Sequence, residues 1–269
     1  MPTVRVAGAT LSYARSGAGP AVLFIQGVGI VGEGWRPQID ALSRHFTCIS
    51  FDNRGIGASP IAGGALSIDA MAGDAIAIMD AEAIDRFHLV GHSMGGVIAQ
   101  EVALQVPARV RTLSLLCTFA RGRDATALSW PMLVMGLRTR IGSRAMRRRA
   151  FLELIMPGTK MSAADVEQRA ARLAPMFGHD LADQPPIVMT QLRALGKYDA
   201  SSRLASLAPI PTLVMSAERD IIARPASGRA LGAAIPGAIY VELDGAGHGV
   251  PIQYPERVNQ LLSVQFAKA

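Results

Sequence analysis

The chain has 269 residues, half of them hydrophobic and 18% charged, with a formal net charge of +6. This composition supplies one large apolar core and excludes a disordered or fibrous protein. The first ten residues carry no basic region followed by an apolar run, and no stretch approaches the roughly 18 apolar residues of a membrane span. We therefore expect no signal peptide, no stable membrane insertion and a cytoplasmic location.

Short β-like runs alternate with helical patterns in the first part of the chain. The predicted strands cover residues 3–6, 11–15, 21–25, 46–51, 87–90 and 110–116. Helices are predicted over 35–44, after Ser67 as an N-cap, and from the glycine-rich segment at 91–96 to Gln105, where Pro107 ends the helix.

The alternation stops between residues 119 and 205, which contain helix-like segments rich in Met, Leu and Arg and no convincing strand. It resumes with strands at 212–216 and 239–243 and a helix at 255–266. Strand–helix alternation predicts the α/β class, with a mostly parallel eight-stranded sheet flanked by helices. We predict a core of residues 1–118 and 206–269, interrupted by a helical insertion at 119–205.

Residues 91–95 read Gly-His-Ser-Met-Gly and fit the G-x-S-x-G pattern between a predicted strand and a predicted helix. A serine on such a sharp turn is held in a strained conformation that exposes its hydroxyl above the sheet. The following helix N-terminus favours developing negative charge. The pattern and its context predict Ser93 as a nucleophile.

A serine hydroxyl needs a base that takes its proton. Of the five histidines, two border strands, one adjoins Ser93 and one lies in the insertion: His45, His88, His92 and His179. His248 lies in a glycine-rich loop between the last predicted strand and the last helix, and this loop can carry an imidazole to the carboxyl edge of the sheet. His248 is the predicted base.

The base needs a carboxylate to orient it. Asp220 follows the strand at 212–216 and precedes His248, which gives the chain order Ser, Asp, His. Glu218 and then Asp244 are the rivals that the sequence leaves open. For the oxyanion, we predict the backbone N–H groups of Met94 and of Val28, in the loop after the strand at 21–25.

These residues resemble the α/β-hydrolase superfamily, in its cap-containing esterase, lactonase and perhydrolase branch, over almost the whole chain. Residues 52–59 are similar to the family's D-x-R-G-x-G-x-S loop, 91–96 to its nucleophile elbow, and 217–220 and 245–248 to its acid and histidine loops. The resemblance implies that the insertion is a cap that covers the active site and selects substrates. One departure is Gln26, where the family usually has His.

We expect hydrolysis of a small-molecule carboxylic ester or lactone with an apolar acyl part, including an acyl homoserine lactone, through an acyl-enzyme. A cofactor-free perhydrolase or haloperoxidase-like enzyme, a C–C bond hydrolase and a non-enzymatic ligand-binding protein remain alternatives. No metal or organic cofactor is implied, and the oligomeric state is left open. The predicted substrate pocket is apolar and consists of Phe119, Trp130, Met132, Met135, Met156, Ile222 and Val250.

Six arginines and no acid lie between residues 136 and 150. Two interpretations remain open: a solvated helix face, or attraction of an anionic substrate or membrane surface. Nucleic-acid binding is not expected, because no aromatic residue interleaves with the arginines. Cys48 and Cys117 lie in apolar runs, which predicts two buried free thiols.

Overall fold

The computed structural model describes residues 1–64, 66–126 and 130–269. Eight strands form one sheet in the order β1-β2-β4-β3-β5-β6-β7-β8. Their bounds are β1 Thr3–Val6, β2 Ala9–Ser16, β3 Ala21–Ile25, β4 Thr47–Phe51, β5 Phe87–His92, β6 Val110–Leu116, β7 Thr212–Ala217 and β8 Ile239–Leu243. Strand β2 pairs antiparallel with β1 and β4, and every other pairing is parallel. The predicted mostly parallel eight-stranded sheet is confirmed.

Eleven α-helices lie in the described ranges. Those outside the stretch between β6 and β7 are α1 Arg36–Leu42, α2 Ile68–Ala81, α3 Met94–Gln105, α9 Pro225–Ala234, α10 Val250–Gln253 and α11 Pro255–Phe266. Ser67 caps α2 as predicted, because its side chain accepts a hydrogen bond from the Ala70 N–H at 3.1 Å. Helix α9 was not predicted from the sequence. These helices and the fully buried strands β3 and β4 form the main core.

Among the described residues, five helices lie between β6 and β7, namely α4 Gly122–Thr126, α5 Trp130–Arg138, α6 Arg144–Ile155, α7 Ala163–Phe177 and α8 Val188–Gly196. Helices α6 and α7 pack on each other around a second hydrophobic cluster that includes Leu152, Leu173 and Phe177. None of the helices in the described ranges is both long enough and apolar enough to span a bilayer.

Candidate active site

Ser93 lies at the junction between β5 and α3, in a backbone conformation of φ 56° and ψ −122°. A side chain in this region costs about 1–3 kcal/mol, which the surrounding structure must offset. The Ser93 N–H donates to the Leu116 carbonyl at 2.9 Å, and the Thr118 hydroxyl donates to the Ser93 carbonyl at 2.7 Å. A Cβ on Gly95 would lie 2.1 Å from the carbonyl oxygen of Ile25, so this turn requires glycine there.

Asp220 and His248 meet after the carboxyl ends of β7 and β8. The His248 Nδ1 atom lies 2.7 Å from Asp220 Oδ2, and both side chains are buried. Asp220 Oδ1 accepts two more hydrogen bonds, from the backbone N–H groups of Ile222 and Ala223 at 2.8 and 2.9 Å. The carboxylate therefore fixes Nδ1 as the protonated ring nitrogen and leaves His248 Nε2 able to accept a proton.

The two rival carboxylates are placed elsewhere. Glu218 is exposed and accepts a hydrogen bond from the Gly245 N–H at 2.7 Å. Asp244 is also exposed. Of these three acids, only Asp220 bonds to the His248 ring.

His92 supports the loop that carries His248. Its Nε2 atom lies 2.7 Å from the His248 carbonyl oxygen, and the two rings are 4.8 Å apart. Burial, followed by the nearby His248, lowers the pKa of His92 to about 3. Because the ring is neutral near pH 7 and a carbonyl only accepts, Nε2 carries the hydrogen and donates it. This contact was not predicted from the sequence, because the two histidines are 156 residues apart.

The two backbone N–H groups predicted as oxyanion donors belong to residues near Ser93. Val28 follows β3 and lines the same cavity as Ser93 and His248, and Met94 is the first residue of α3. Among the hydrogen bonds of the described residues, neither N–H has an acceptor. Gly27 brings this loop close to Ser93, because a Cβ on Gly27 would lie 3.1 Å from the Ser93 Cβ.

Gln26 stabilises the same loop from within. Its side-chain oxygen accepts from the Gly27 N–H at 3.2 Å, and its backbone carbonyl accepts from the Asn53 amide at 3.0 Å. Gln191 on α8 accepts from the Gly29 N–H at 2.9 Å. The departure from the family's His is thus compatible with an ordered loop. Asn53 and Gln191 were not singled out from the sequence, because they are about 27 and 162 residues distant from their partners.

Cys117 is a buried free cysteine next to Asp220. Burial and the Asp220 carboxylate raise the pKa of this thiol well above its usual value, so the sulfur is protonated. The potential ligand atoms of His92, Cys117 and His248 lie within 4.8 Å of one another, a spacing that a metal ion could bridge. The hydrogen bonds of the two histidines and the protonated thiol indicate a polar support for His248 instead.

A cavity of about 860 Å³ opens above Ser93 and His248. Its wall includes four of the predicted pocket residues, namely Phe119, Met132, Met135 and Ile222. Three others lie outside the wall. Trp130 is 77% exposed on α5, Met156 packs in the second hydrophobic cluster, and Val250 is buried in the main core. Apolar periodicity predicts which face of a helix is buried. It does not predict which other segment of the chain that face contacts.

Most of the remaining wall comes from the helices between β6 and β7. Apolar side chains of α6, α7 and α8 complete it, namely Phe151, Leu154, Ile155, Met176, Phe177, Val188, Met189 and Leu192. Arg140, His179 and Arg193 add polar groups to the lining. The cavity is therefore predominantly apolar, and the two site histidines and Ser93 lie together on its wall.

Comparisons with known proteins agree with this architecture. A family model described as the alpha/beta hydrolase fold matches residues 20–255. RutD of Azorhizobium caulinodans, named as a carbamate hydrolase, is 30% identical over 266 residues that cover 97% of each chain. The crystal structure of the enol-lactonase from Burkholderia xenovorans LB400 has 27% identity and a TM-score of 0.79 and covers 100% of both chains. Est816, an N-acyl homoserine lactone degrading enzyme, has 28% identity and a TM-score of 0.78 and covers 97% of this chain and 99% of its own.

Proposed function

Because this chain belongs to the α/β-hydrolase fold family, we propose that it is a serine hydrolase that cleaves carboxylic esters or lactones through an acyl-enzyme. The observation that carries the proposal is the 2.7 Å bond between His248 Nδ1 and Asp220 Oδ2, with His248 and Ser93 on one apolar cavity wall. This arrangement supports Ser93 as the nucleophile, His248 as the base and Asp220 as the carboxylate that orients it.

In this mechanism, the Ser93 hydroxyl attacks the substrate carbonyl carbon while His248 Nε2 takes its proton. The N–H groups of Val28 and Met94 bind the resulting oxyanion, and each such donor is typically worth about 10²–10³ in rate. The imidazolium returns the proton to the leaving alkoxide, which leaves an ester of Ser93. Water, deprotonated by His248, then hydrolyses that ester and restores the serine. Asp220 orients His248 and stabilises the imidazolium.

We propose that residues 119–205 form a cap that selects an apolar acyl chain or lactone ring. The apolar wall and volume of about 860 Å³ support a substrate larger than a simple carbamate. The likeness to an enol-lactonase and to an enzyme that degrades N-acyl homoserine lactones supports lactones within this class.

Replacing the nucleophile tests the reaction type. Ser93→Ala is expected to lower kcat for a p-nitrophenyl ester by several orders of magnitude, by about 10⁶ in the best-studied serine hydrolase triad. Ser114→Ala is the matched control, since Ser114 is a buried serine on β6 outside the cavity. A fluorophosphonate label on the wild-type protein should map to Ser93. Near-full activity of Ser93→Ala would refute the proposal.

A substrate panel tests the proposed acyl preference. We expect kcat/KM for p-nitrophenyl esters to rise from acetate to longer acyl chains, because each buried methylene adds about 0.8 kcal/mol of apolar transfer energy. Acyl homoserine lactones of matched chain length separate lactonase from esterase activity. A decline of kcat/KM beyond acetate, or turnover of small carbamates alone, would contradict the substrate class while leaving the role of Ser93 intact.

A further inference from the structure

One face of helix α5 and the turn after it is apolar and exposed to solvent. Trp130, Leu133, Val134, Leu137 and Ile141 recur at helical spacing and are 77%, 46%, 40%, 59% and 62% exposed. The Ile141 N–H still donates to the Leu137 carbonyl at 2.9 Å, so the turn continues the same stripe. Isolated exposed apolar residues are common, but a contiguous stripe of large side chains indicates an interaction surface.

This stripe shares residues with the wall of the active-site cavity. Leu133 and Leu137 on α5 and Met189 on α8 are all exposed and also line the cavity. Arg140, in the turn after α5, contacts helix α8, because its guanidinium lies 3.5 Å from the Met189 sulfur. A molecule bound to the stripe therefore lies next to residues of the cavity wall.

The net positive charge of the protein lies in the segment that contains this surface. Residues 119–205 contain 14 Lys and Arg but seven Asp and Glu, whereas the rest of the chain contains 13 basic and 14 acidic residues. Arg138 and Arg144 have acidic partners, Glu153 and Asp183. Arg140 is exposed and, within the described ranges, forms no ion pair with an acid. The surface combines an apolar stripe with uncompensated positive charge.

We propose that this surface, formed by residues 130–141 with Met189, docks on an anionic phospholipid bilayer. The apolar stripe would enter the interface between headgroups and acyl chains, while Arg140 and the net positive charge of residues 119–205 attract lipid phosphates. A second copy of the chain is a poor occupant, because pairing would bring two positively charged surfaces together. The docked cavity would receive apolar substrates from the lipid phase. The docking itself is independent of the proposed hydrolysis.

Vesicle co-sedimentation tests the docking directly. The full chain is expected to sediment with vesicles of equal parts phosphatidylcholine and phosphatidylglycerol, and much less with phosphatidylcholine alone or in high salt. Trp130→Ser combined with Ile141→Ser should weaken binding by about tenfold or more, since two large apolar side chains no longer enter the lipid. Neither residue lines the cavity. The double variant should therefore keep its activity on a water-soluble ester.

Two controls separate docking from folding and from catalysis. Ile239→Ser combined with Val264→Ser removes two apolar side chains that are 46% and 60% exposed on other elements, and should leave vesicle binding unchanged. Ser93→Ala should bind vesicles like the wild type, so failure of the hydrolase proposal leaves this result interpretable. Absence of binding to anionic vesicles, or equal binding by the Trp130/Ile141 variant, overturns the proposal. A dimer in light scattering that this variant abolishes also overturns it, in favour of a second copy.

Discussion

At the scale of single residues, His248 is held from two directions. Asp220 fixes the ring through Nδ1, and His92 fixes the backbone through the His248 carbonyl. Asp220 in turn is fixed by two backbone N–H groups and by the neighbouring thiol of Cys117. Small errors in the position of a catalytic base reduce rates strongly, so these supports contribute to the rate through the position of His248.

We predict that His92→Phe lowers kcat by about 10- to 100-fold with little change in KM. The ring is retained, but the buried carbonyl of His248 loses its donor, which costs about 1–3 kcal/mol. If all of that cost raises the activation barrier through misplacement of His248, kcat falls by a factor in this range. Steady-state kinetics with a p-nitrophenyl ester measures it, and His92→Asn, which keeps an N–H donor, is the matched comparison. Unchanged kcat in His92→Phe would show that the carbonyl contact has no positioning role.

At the scale of elements, the loop after β4 is held to the rest of the core by buried charges. Asp52 accepts hydrogen bonds from the N–H groups of Gly32 and Ala58 at 2.8 and 2.9 Å. Arg54 forms a two-point ion pair with Asp74 on α2, and both side chains are almost fully buried. This loop carries Asn53, which bonds to the loop of Val28. The ion pair therefore stabilises a segment that borders the site.

We expect Arg54→Leu to lower the free energy of unfolding by about 3–5 kcal/mol, because it leaves the Asp74 carboxylate buried without its partner. Arg54→Leu combined with Asp74→Leu should recover most of that loss. Arg36→Leu, which breaks an exposed pair with Glu33, should cost less than about 1 kcal/mol. Urea denaturation measures all three, and equal destabilisation by the two single variants would contradict the assignment.

At the scale of the whole molecule, two buried histidines make the free energy of unfolding sensitive to acid. Burial, together with Arg111, lowers the pKa of His88 to about 4, and burial lowers that of His92 to about 3. In the unfolded chain both titrate near the ordinary value of 6.5. The unfolded state therefore binds more protons below that pH, and the stability that is present above pH 6.5 is lost as the pH falls towards 4 and 3.

We predict that the free energy of unfolding falls by about 2 kcal/mol per buried histidine between pH 6.5 and 5, at about 1.4 kcal/mol for each pH unit. The two buried histidines contribute about equally to this slope, so His88→Leu should remove about half of their joint contribution. His45→Leu is the control, because His45 is exposed. Urea denaturation across this range gives the slopes. An unchanged slope in His88→Leu would contradict the prediction.

The overall architecture was predictable because it depends on apolar patterns between residues close together in the chain. Alternation of buried strands and amphipathic helices predicted the sheet, and the Ser67 cap predicted the start of α2. Helix α9, Pro225–Ala234, escaped prediction, because Gly228 and Gly232 in its interior lower its helix propensity. The helices and strands were therefore predictable from the sequence wherever the local apolar pattern was strong.

The sequence by itself determined the candidate nucleophile and base and ranked Asp220 first among three candidate acids, because motif, chain order and the edge rule of parallel strands restrict these residues strongly. Tertiary structure alone decided which carboxylate bonds to His248, that His92 supports its loop, and that Gln191 reaches Gly29. It also moved Trp130, Met156 and Val250 out of the cavity wall. The physical reason is that these outcomes depend on side-chain direction and on contacts between segments far apart in the chain, which no local pattern encodes.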